Sequence, residues 1–287
     1  MDQQETDPLR NRYPASGTTG RKFVGMFAMA ILLGWCTSCS DDTVAPQEPP
    51  SGTLSLQVNH LVDGNAPLLN QVIYTNAAGN PYSVTDVMYF ISDIDLYGRD
   101  GHISRIKAWK DIFYLDIKMP ATLSVQFPDR IPAGEYDSLA FTFGLSPEKN
   151  ISYTFVNPPE AIMAWPEVLG GGYHYMMING WWRDMQGALQ PYNFHLGIGQ
   201  LYKGTGYNTD SIYAFVHNNF RVTLPGSAFT VTDGGNTALN LTMHIDRWFR
   251  DPHTWDHNHW GGAIMQNQAA MQEVKENGWN VFTMAQP

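Results

Sequence analysis

Residues 87–97 read VMYFISDIDLY, and this stretch decides the fold class. Apolar side chains fill positions 87–91, and Ile94 and Leu96 then recur at every second residue. Such alternation is typical of a β-strand that buries one face. Shorter segments of the same character predict strands at residues 54–60, 112–117, 123–127, 136–143, 173–181, 192–198, 212–222, 228–231 and 239–249. The sequence therefore predicts an all-β chain.

Turn signals separate these segments, among them Gly79-Asn80-Pro81, Asp100-Gly101 and Asp233-Gly234-Gly235. Glycine, proline, asparagine and aspartate favour the backbone angles of tight turns. Many short strands joined by such turns indicate an antiparallel sandwich or a barrel. One short helix is predicted near residues 263–276, because Asn277-Gly278 is a typical helix end. No repeat or change of composition divides residues 54–287, so we predict one domain there.

The N-terminus is predicted to be an export signal at residues 1–38. Arg21 and Lys22 precede an apolar run at 23–35, which is short for a membrane span, and Thr37-Ser38-Cys39 has the form of a lipobox. We expect cleavage before Cys39 and lipid on its thiol, followed by a flexible tether at 39–53 rich in Asp, Pro and Ser. The alternative is a buried apolar helix. The lipobox predicts an outer-membrane lipoprotein on the periplasmic or cell-surface face, anchored in the membrane by its lipid.

Charge and cysteine content exclude several classes of partner and site. The chain carries 17 basic and 27 acidic residues, and four basic and three acidic ones lie in residues 1–38, which leaves a mature net charge near −11. Nucleic acid is therefore not an expected partner, because phosphate binding needs clustered Lys and Arg. No cysteine follows Cys39, so the predicted domain has neither a disulfide nor a thiolate metal site.

All nine histidines lie after the predicted cleavage point, and imidazole is a common ligand for copper and zinc. His253, His257 and His259 form the densest group, with a spacing that could place two rings on one ion. His60 and His195 lie on strand patterns and are candidate ligands inside the domain. The alternatives are a polar surface loop for the first group and hydrogen-bonded structural histidines for the second. His174, His217 and His244 are expected to be structural.

Four further patterns occur in order along the chain: residues 87–96, residues 131–145 with the run Ile131-Pro132-Ala133-Gly134-Glu135-Tyr136, residues 163–176 with Gly171-Gly172-Tyr173-His174-Tyr175-Met176, and Phe194-His195-Leu196-Gly197. Together these segments resemble the MbnP-like family, which includes methanobactin-associated and copper-repressed proteins. The match covers roughly residues 54–249. The end of the chain and Ser40-Asp41-Asp42 resemble Bacteroidetes lipoproteins.

The resemblance implies a β-sandwich and a copper site made of imidazoles and an oxidisable tryptophan. Trp109 falls at the family's Trp-x-His motif, although Asp111 stands where the histidine is expected, and Asn150 is followed by Ile151 rather than by a second histidine. The candidate oxidised residues are Trp109 and Trp165, and a diheme peroxidase-like protein is the implied partner in that oxidation.

Two functional hypotheses follow. The first is a lipoprotein that binds copper, or alternatively zinc, without catalysis. The second is an adhesion or glycan-contacting lipoprotein without metal, for which Trp255 and Trp260 are the expected exposed aromatic side chains. No Gly-x-Ser-x-Gly, phosphate-binding glycine loop or His-Glu-x-x-His motif is present, so the sequence gives no reason to predict an enzyme.

Overall fold

The computed structural model describes residues 48–224 and 226–285, and most of this chain forms β-strands. The strand alternation predicted from residues 87–97 is present as β4, and the all-β prediction is confirmed. The strands are β1 (Ser51–Leu61), β2 (Tyr74–Thr75), β3 (Pro81–Tyr82), β4 (Asp86–Gly98), β5 (Ile103–Arg105), β6 (Ile112–Asp116), β7 (Ser124–Pro132), β8 (Gly134–Phe143), β9 (Met176–Arg183), β10 (Leu189–Leu196), β11 (Ile198–Tyr202), β12 (Ile212–His217), β13 (Phe220–Leu224), β14 (Phe229–Val231), β15 (Asn236–His244) and β16 (Phe282–Ala285).

The strands form two main sheets and a small ribbon. One sheet has the order β16-β15-β1-β7, in which β1 and β15 are parallel and Leu56 lies opposite Leu239. The second has the path β13-β8-β4-β9-β3-β2, with β10 beside β9 and with β5, β6 and β14 beside β4 or β8. Strands β11 and β12 pair with each other as an antiparallel ribbon.

The core lies where the two main sheets face each other. Alternate residues of β1, such as Leu54, Leu56 and Val58, are buried, as the period of two requires. Phe282 of β16 packs against both Phe141 and Phe143 of β8, which joins the four-stranded sheet to the larger one. This packing of two curled, mostly antiparallel sheets confirms the sandwich prediction.

Helices are few and short. A single turn, α1 (His257–Trp260), precedes α2 (Gln268–Asn277), whose first turn is capped by the Asn267 side chain accepting from Ala270 N. The predicted C-terminal helix is therefore confirmed, and it begins at residue 268 instead of 263. No helix within 48–224 or 226–285 is long and apolar enough to cross a bilayer.

Candidate metal site

Two neighbouring strands bring His174 and His195 together. His195 lies on β10 opposite Met177 of β9, and His174 lies two residues before β9 begins. The pairing continues past the end of β9, because Tyr175 N donates to Leu196 O at 2.7 Å. The two imidazole ring centres are 5.0 Å apart with nearly perpendicular planes. Sequence reasoning selected His195 and treated His174 as structural, so it missed this partner.

The hydrogen bonds of the pair leave one unprotonated nitrogen free on each ring. His174 Nδ1 lies 2.9 Å from the Met163 carbonyl oxygen and donates to it, since a carbonyl can only accept. His195 Nε2 lies 2.7 Å from Asn179 Oδ1 and donates in the same way. The remaining atoms, His174 Nε2 and His195 Nδ1, are buried and have no hydrogen-bond partner. Each therefore presents a lone pair, with the other nitrogen held as in known metal-binding histidines.

Burial keeps both rings neutral. Burial lowers the pKa of His174 to about 4. Burial, followed by the nearby His174, lowers the pKa of His195 to about 3. A neutral imidazole is the form that binds metals, so neither ring has to lose a proton at neutral pH.

Trp165 lies against this pair. Its indole meets the His174 ring edge to face at a centre distance of 4.6 Å, and its Nε1 donates to Leu169 O at 3.1 Å. The close approach requires Gly197, because a Cβ at that position would lie 2.6 Å from the indole ring. The predicted oxidation candidate Trp165 is thus beside the imidazole pair, whereas the structure places Trp109 on another part of the sandwich surface, in a cleft that contains neither histidine.

His60 lies apart from the pair. It is buried on β1, its Nε2 lies 3.2 Å from the Tyr89 hydroxyl oxygen, and burial lowers its pKa to about 4. It lines a surface cleft of about 610 Å³ that contains no other histidine. Among the described residues, 48–224 and 226–285, no hydrogen bond or ring contact joins His60 to His195.

The three histidines near the C-terminus do not converge. His253 pairs with Glu276, and the exposed His259 ring contacts Trp260. The buried His257 is stacked between aromatic rings, and its Nδ1 accepts from Trp255 Nε1 at 3.4 Å. Its Nε2 then carries the proton and offers no lone pair.

In the described part of the chain no group of three or more His, Cys, Asp or Glu is arranged to hold a metal. The lipidation candidate Cys39 lies outside the described residues.

The corner at Trp109 does not fit copper. Trp109, Lys110 and Asp111 all have positive φ, between 50° and 63°, which is costly for residues other than glycine. The Asp111 carboxylate accepts from Ile94 N and pairs with Lys149, whose ammonium also contacts Asp111 O at 3.1 Å and Asp93 Oδ1 at 2.6 Å. An ammonium group thus occupies the oxygen-lined position where a metal cation would be attracted, and no imidazole is present.

Replacing Lys149 with methionine is expected to lower the free energy of unfolding by about 2 kcal/mol at pH 7, below the 3–5 kcal/mol that follows breakage of fully buried pairs. The reason is that the two carboxylates, 23% and 11% exposed, would lose their shared cation. Burial raises the pKa of Asp93, but the hydrogen bond and charge of Lys149, together with hydrogen bonds from Thr142 and Ser92, outweigh burial and lower the net pKa. Burial raises the pKa of Asp111 despite Lys149. The Asp93 contribution is present above the usual carboxyl pKa and is lost in acid, so the deficit of the variant should shrink as pH falls.

Urea unfolding of both proteins at pH 7 and pH 4 measures this effect. Lys118→Met is the control, because Lys118 pairs with Asp86 at a more exposed position and should cost less than about 1 kcal/mol. Equal losses of unfolding free energy in Lys149→Met and Lys118→Met would show that Lys149 does not stabilise the strained turn.

The tryptophans predicted for glycan contact are not both exposed. Trp255 is only 1% exposed, stacked on Trp260 and edge-on to Phe194, so its expected exposure is wrong. Trp260 is half-buried and donates from Nε1 to Glu273. The residues with exposed indoles in the described ranges are instead Trp109, Trp181 and Trp279.

Fold and site together define an all-β sandwich protein with a buried pair of neutral imidazoles. The MbnP family profile matches residues 51–268, and the chain belongs to that family. The predicted resemblance is confirmed at this level, and its Bacteroidetes branch stays a prediction. The solved structure of MbnP from Methylosinus trichosporium is similar, with a TM-score of 0.50, 15% identity, and coverage of 82% of this chain and 99% of that one. That likeness concerns the fold. No curated protein sequence gives a match.

Proposed function

We propose that this protein binds one copper ion, as Cu(I), through His174 Nε2 and His195 Nδ1, and that it holds or transfers the ion without catalysis. One observation carries the proposal: two neutral rings lie edge to face with their centres 5.0 Å apart, and each buries an unprotonated nitrogen that has no hydrogen-bond partner. An unpaired buried acceptor costs free energy that a bound cation would recover.

The donor set favours copper over zinc. Zinc in structural sites takes four ligands in a tetrahedron, and catalytic zinc keeps three protein ligands. The described residues offer this pair no third His, Cys, Asp or Glu. A cuprous ion accepts two neutral nitrogen ligands, and imidazole suits copper. The buried surroundings would also exclude water, which favours the lower charge of Cu(I) over Cu(II).

The wider setting of the proposal comes from the sequence and the family. The lipobox at Cys39 would place the domain on an outer membrane, where it could bind copper in the periplasm or at the cell surface. Membership of the MbnP family supports a link to copper. Oxidation of Trp165, which touches His174, and a diheme peroxidase-like partner stay predictions; the intact mass of the native protein would report the first.

Copper loading tests the proposal. The mature chain, produced without a His tag and stripped of metal, should bind one equivalent of Cu(I) in competition with a chromophoric cuprous chelator, and zinc should bind much more weakly. His174→Gln and His195→Gln should each abolish the tight equivalent, while circular dichroism and the melting temperature report whether each variant remains folded.

Two controls separate this site from the others. His60→Gln should bind copper as the parent does, because His60 lies on β1 and contacts Tyr89. A variant with His253, His257 and His259 replaced by Gln should do the same if it folds. Loss of copper in the controls, or its retention in a folded His195→Gln protein, would refute the proposed site.

A further inference from the structure

A second candidate site lies at the Trp109 corner, where the strained turn presents an indole to solvent. Trp109 is 57% exposed, and its ring is supported edge-on by Phe113 at a centre distance of 5.8 Å. The turn that carries it is fixed from beneath by the Lys149 ammonium, as described above. Three consecutive non-glycine residues in the left-handed region are unusual, and such strain often accompanies function.

The indole forms one wall of a surface cleft of about 440 Å³. Three further aromatic residues line the cleft, and Phe155 among them packs flat on the core residue Phe90. The aromatic residues are Phe113, Tyr114 and Phe155, and the aliphatic residues Ile112, Ala121 and Val125 complete the apolar lining. The cleft volume falls within the range of small-molecule sites, which are mostly apolar with a few polar groups. The size suits a small molecule with an apolar surface.

The charge of the cleft is negative. Glu160 is the only charged residue among those that line it, and its carboxylate forms no hydrogen bond or ion pair with the described residues. Burial raises the pKa of the Tyr114 hydroxyl, and the charges of Asp116, Glu160 and Asp86 raise it further. The hydroxyl donates to Asp116 Oδ2 at 3.0 Å. Two lysines belong to this corner. Lys149 is shared by two carboxylates, and Lys110, which follows Trp109 in the turn, is exposed and does not line the cleft.

From this combination we infer that the cleft binds a small organic cation of the quaternary ammonium class, with its methylated nitrogen on the Trp109 face and its charge balanced by Glu160. The face of an indole carries negative electrostatic potential and attracts such cations, and aromatic residues with a carboxylate are how proteins recognise them. The net charge of −10 attracts cations to the protein as a whole. The site is separate from the imidazole pair, because among the described residues no hydrogen bond or ring contact joins its lining to His174 or His195.

Choline and its neutral analogue 3,3-dimethylbutan-1-ol test the inference, since they share a shape and differ in charge. Calorimetric titration of the metal-free mature protein should show saturable choline binding and at least about tenfold weaker binding of the alcohol. Raising the salt concentration should weaken choline binding, as charge screening requires. Equal binding of the two compounds would overturn the inference, and so would saturable binding of a neutral hexose in place of choline.

Variants locate the site. Trp109→Ala and Trp109→Leu should each weaken choline binding by about fivefold to thirtyfold, the equivalent of one cation–π contact. Glu160→Gln should weaken binding of choline and leave that of the alcohol unchanged. Trp279→Ala is the matched control, because Trp279 is 69% exposed and lies outside the cleft. Unchanged choline binding in the Trp109 variants, or an equal loss in Trp279→Ala, would place the ligand elsewhere.

Discussion

Lowering the pH from 7 to 5 is expected to remove most of the conformational stability of the metal-free protein. Four histidines are buried and neutral: burial lowers the pKa of His60, His174 and His257 from 6.5 to about 4, and that of His195 to about 3. In the unfolded chain these rings would titrate near 6.5. Between pH 6.5 and 4 the unfolded state therefore binds more protons than the folded state, so stability falls as the pH falls.

The size of this effect follows from the shift. At pH 5 each ring is expected to cost about 2 kcal/mol, since one pKa unit corresponds to about 1.4 kcal/mol. The four together amount to several kcal/mol, which is comparable to the whole stability of a typical domain. Urea midpoints measured every half pH unit from 7.5 to 4.5 should decline steeply over this window.

One substitution isolates a single ring in this profile. His60→Gln retains an acceptor for the Tyr89 hydroxyl, which is fully buried, and removes the titrating group. It should flatten the decline by up to about 1.4 kcal/mol per pH unit. His259→Gln is the control, because the His259 ring is exposed and replacing it removes no buried group. A pH profile that is the same for His60→Gln and the parent would contradict the assignment of His60 as a buried neutral ring.

The sequence predicted the strands well where burial alternates and failed where one buried polar side chain sets the geometry. Residues 212–222 are apolar at alternate positions, and a single strand was predicted there. The chain instead leaves β12 at His217 and enters β13 at Phe220. The break is at Asn218, which is fully buried and whose amide donates to Gly197 O and to Gln268 Oε1. These partners are distant in sequence, so no local pattern could reveal them.

The prediction for residues 239–249 failed for a related reason. Strand β15 ends at His244, and Ile245–Phe249 forms a 3₁₀ helix with three buried side chains. The apolar composition of this segment predicted burial correctly. It could not distinguish a strand from a short helix, because a few apolar residues in succession satisfy either.

The candidate site shows the same limit. His195 was selected because it lies on a strand pattern within a family motif, and it is one of the two rings. Its partner His174 is 21 residues earlier in the chain, and only the register of β9 against β10 brings them together. Sequence spacing does not fix strand register, so the pairing could not be predicted. The signal that could have indicated it was the presence of a histidine in two family segments predicted as strands, 173–181 and 192–198.

Truncating Trp248 is expected to be the most damaging single substitution in the core, with Trp248→Ala lowering the free energy of unfolding by about 4 kcal/mol. Trp248 is completely buried and lies 5.2 Å from Phe143 of β8 and 6.3 Å from Phe220 of β13, measured between ring centres. Phe143 also packs on Phe282 of the other sheet. Removal of the indole would therefore leave a cavity beside the aromatic cluster that joins the two sheets, where strands on both sides limit collapse.

The matched variant is Trp248→Phe. It separates the effect of the indole nitrogen from the effect of the ring contacts. Trp248 Nε1 is buried without a hydrogen-bond partner, a state that itself costs about 1–3 kcal/mol. Phenylalanine removes that unpaired donor while it retains most of the contacts with Phe143 and Phe220, so its loss should be below about 2 kcal/mol. Guanidinium unfolding at pH 7.5, away from the histidine titrations, measures the free energy of unfolding of both variants.

If Trp248→Phe were as damaging as Trp248→Ala, the Nε1 atom would have a hydrogen-bond partner, and the cavity would not dominate the cost. If Trp248→Ala cost less than about 1 kcal/mol, the cluster around Phe143 would not be what holds the sheets together.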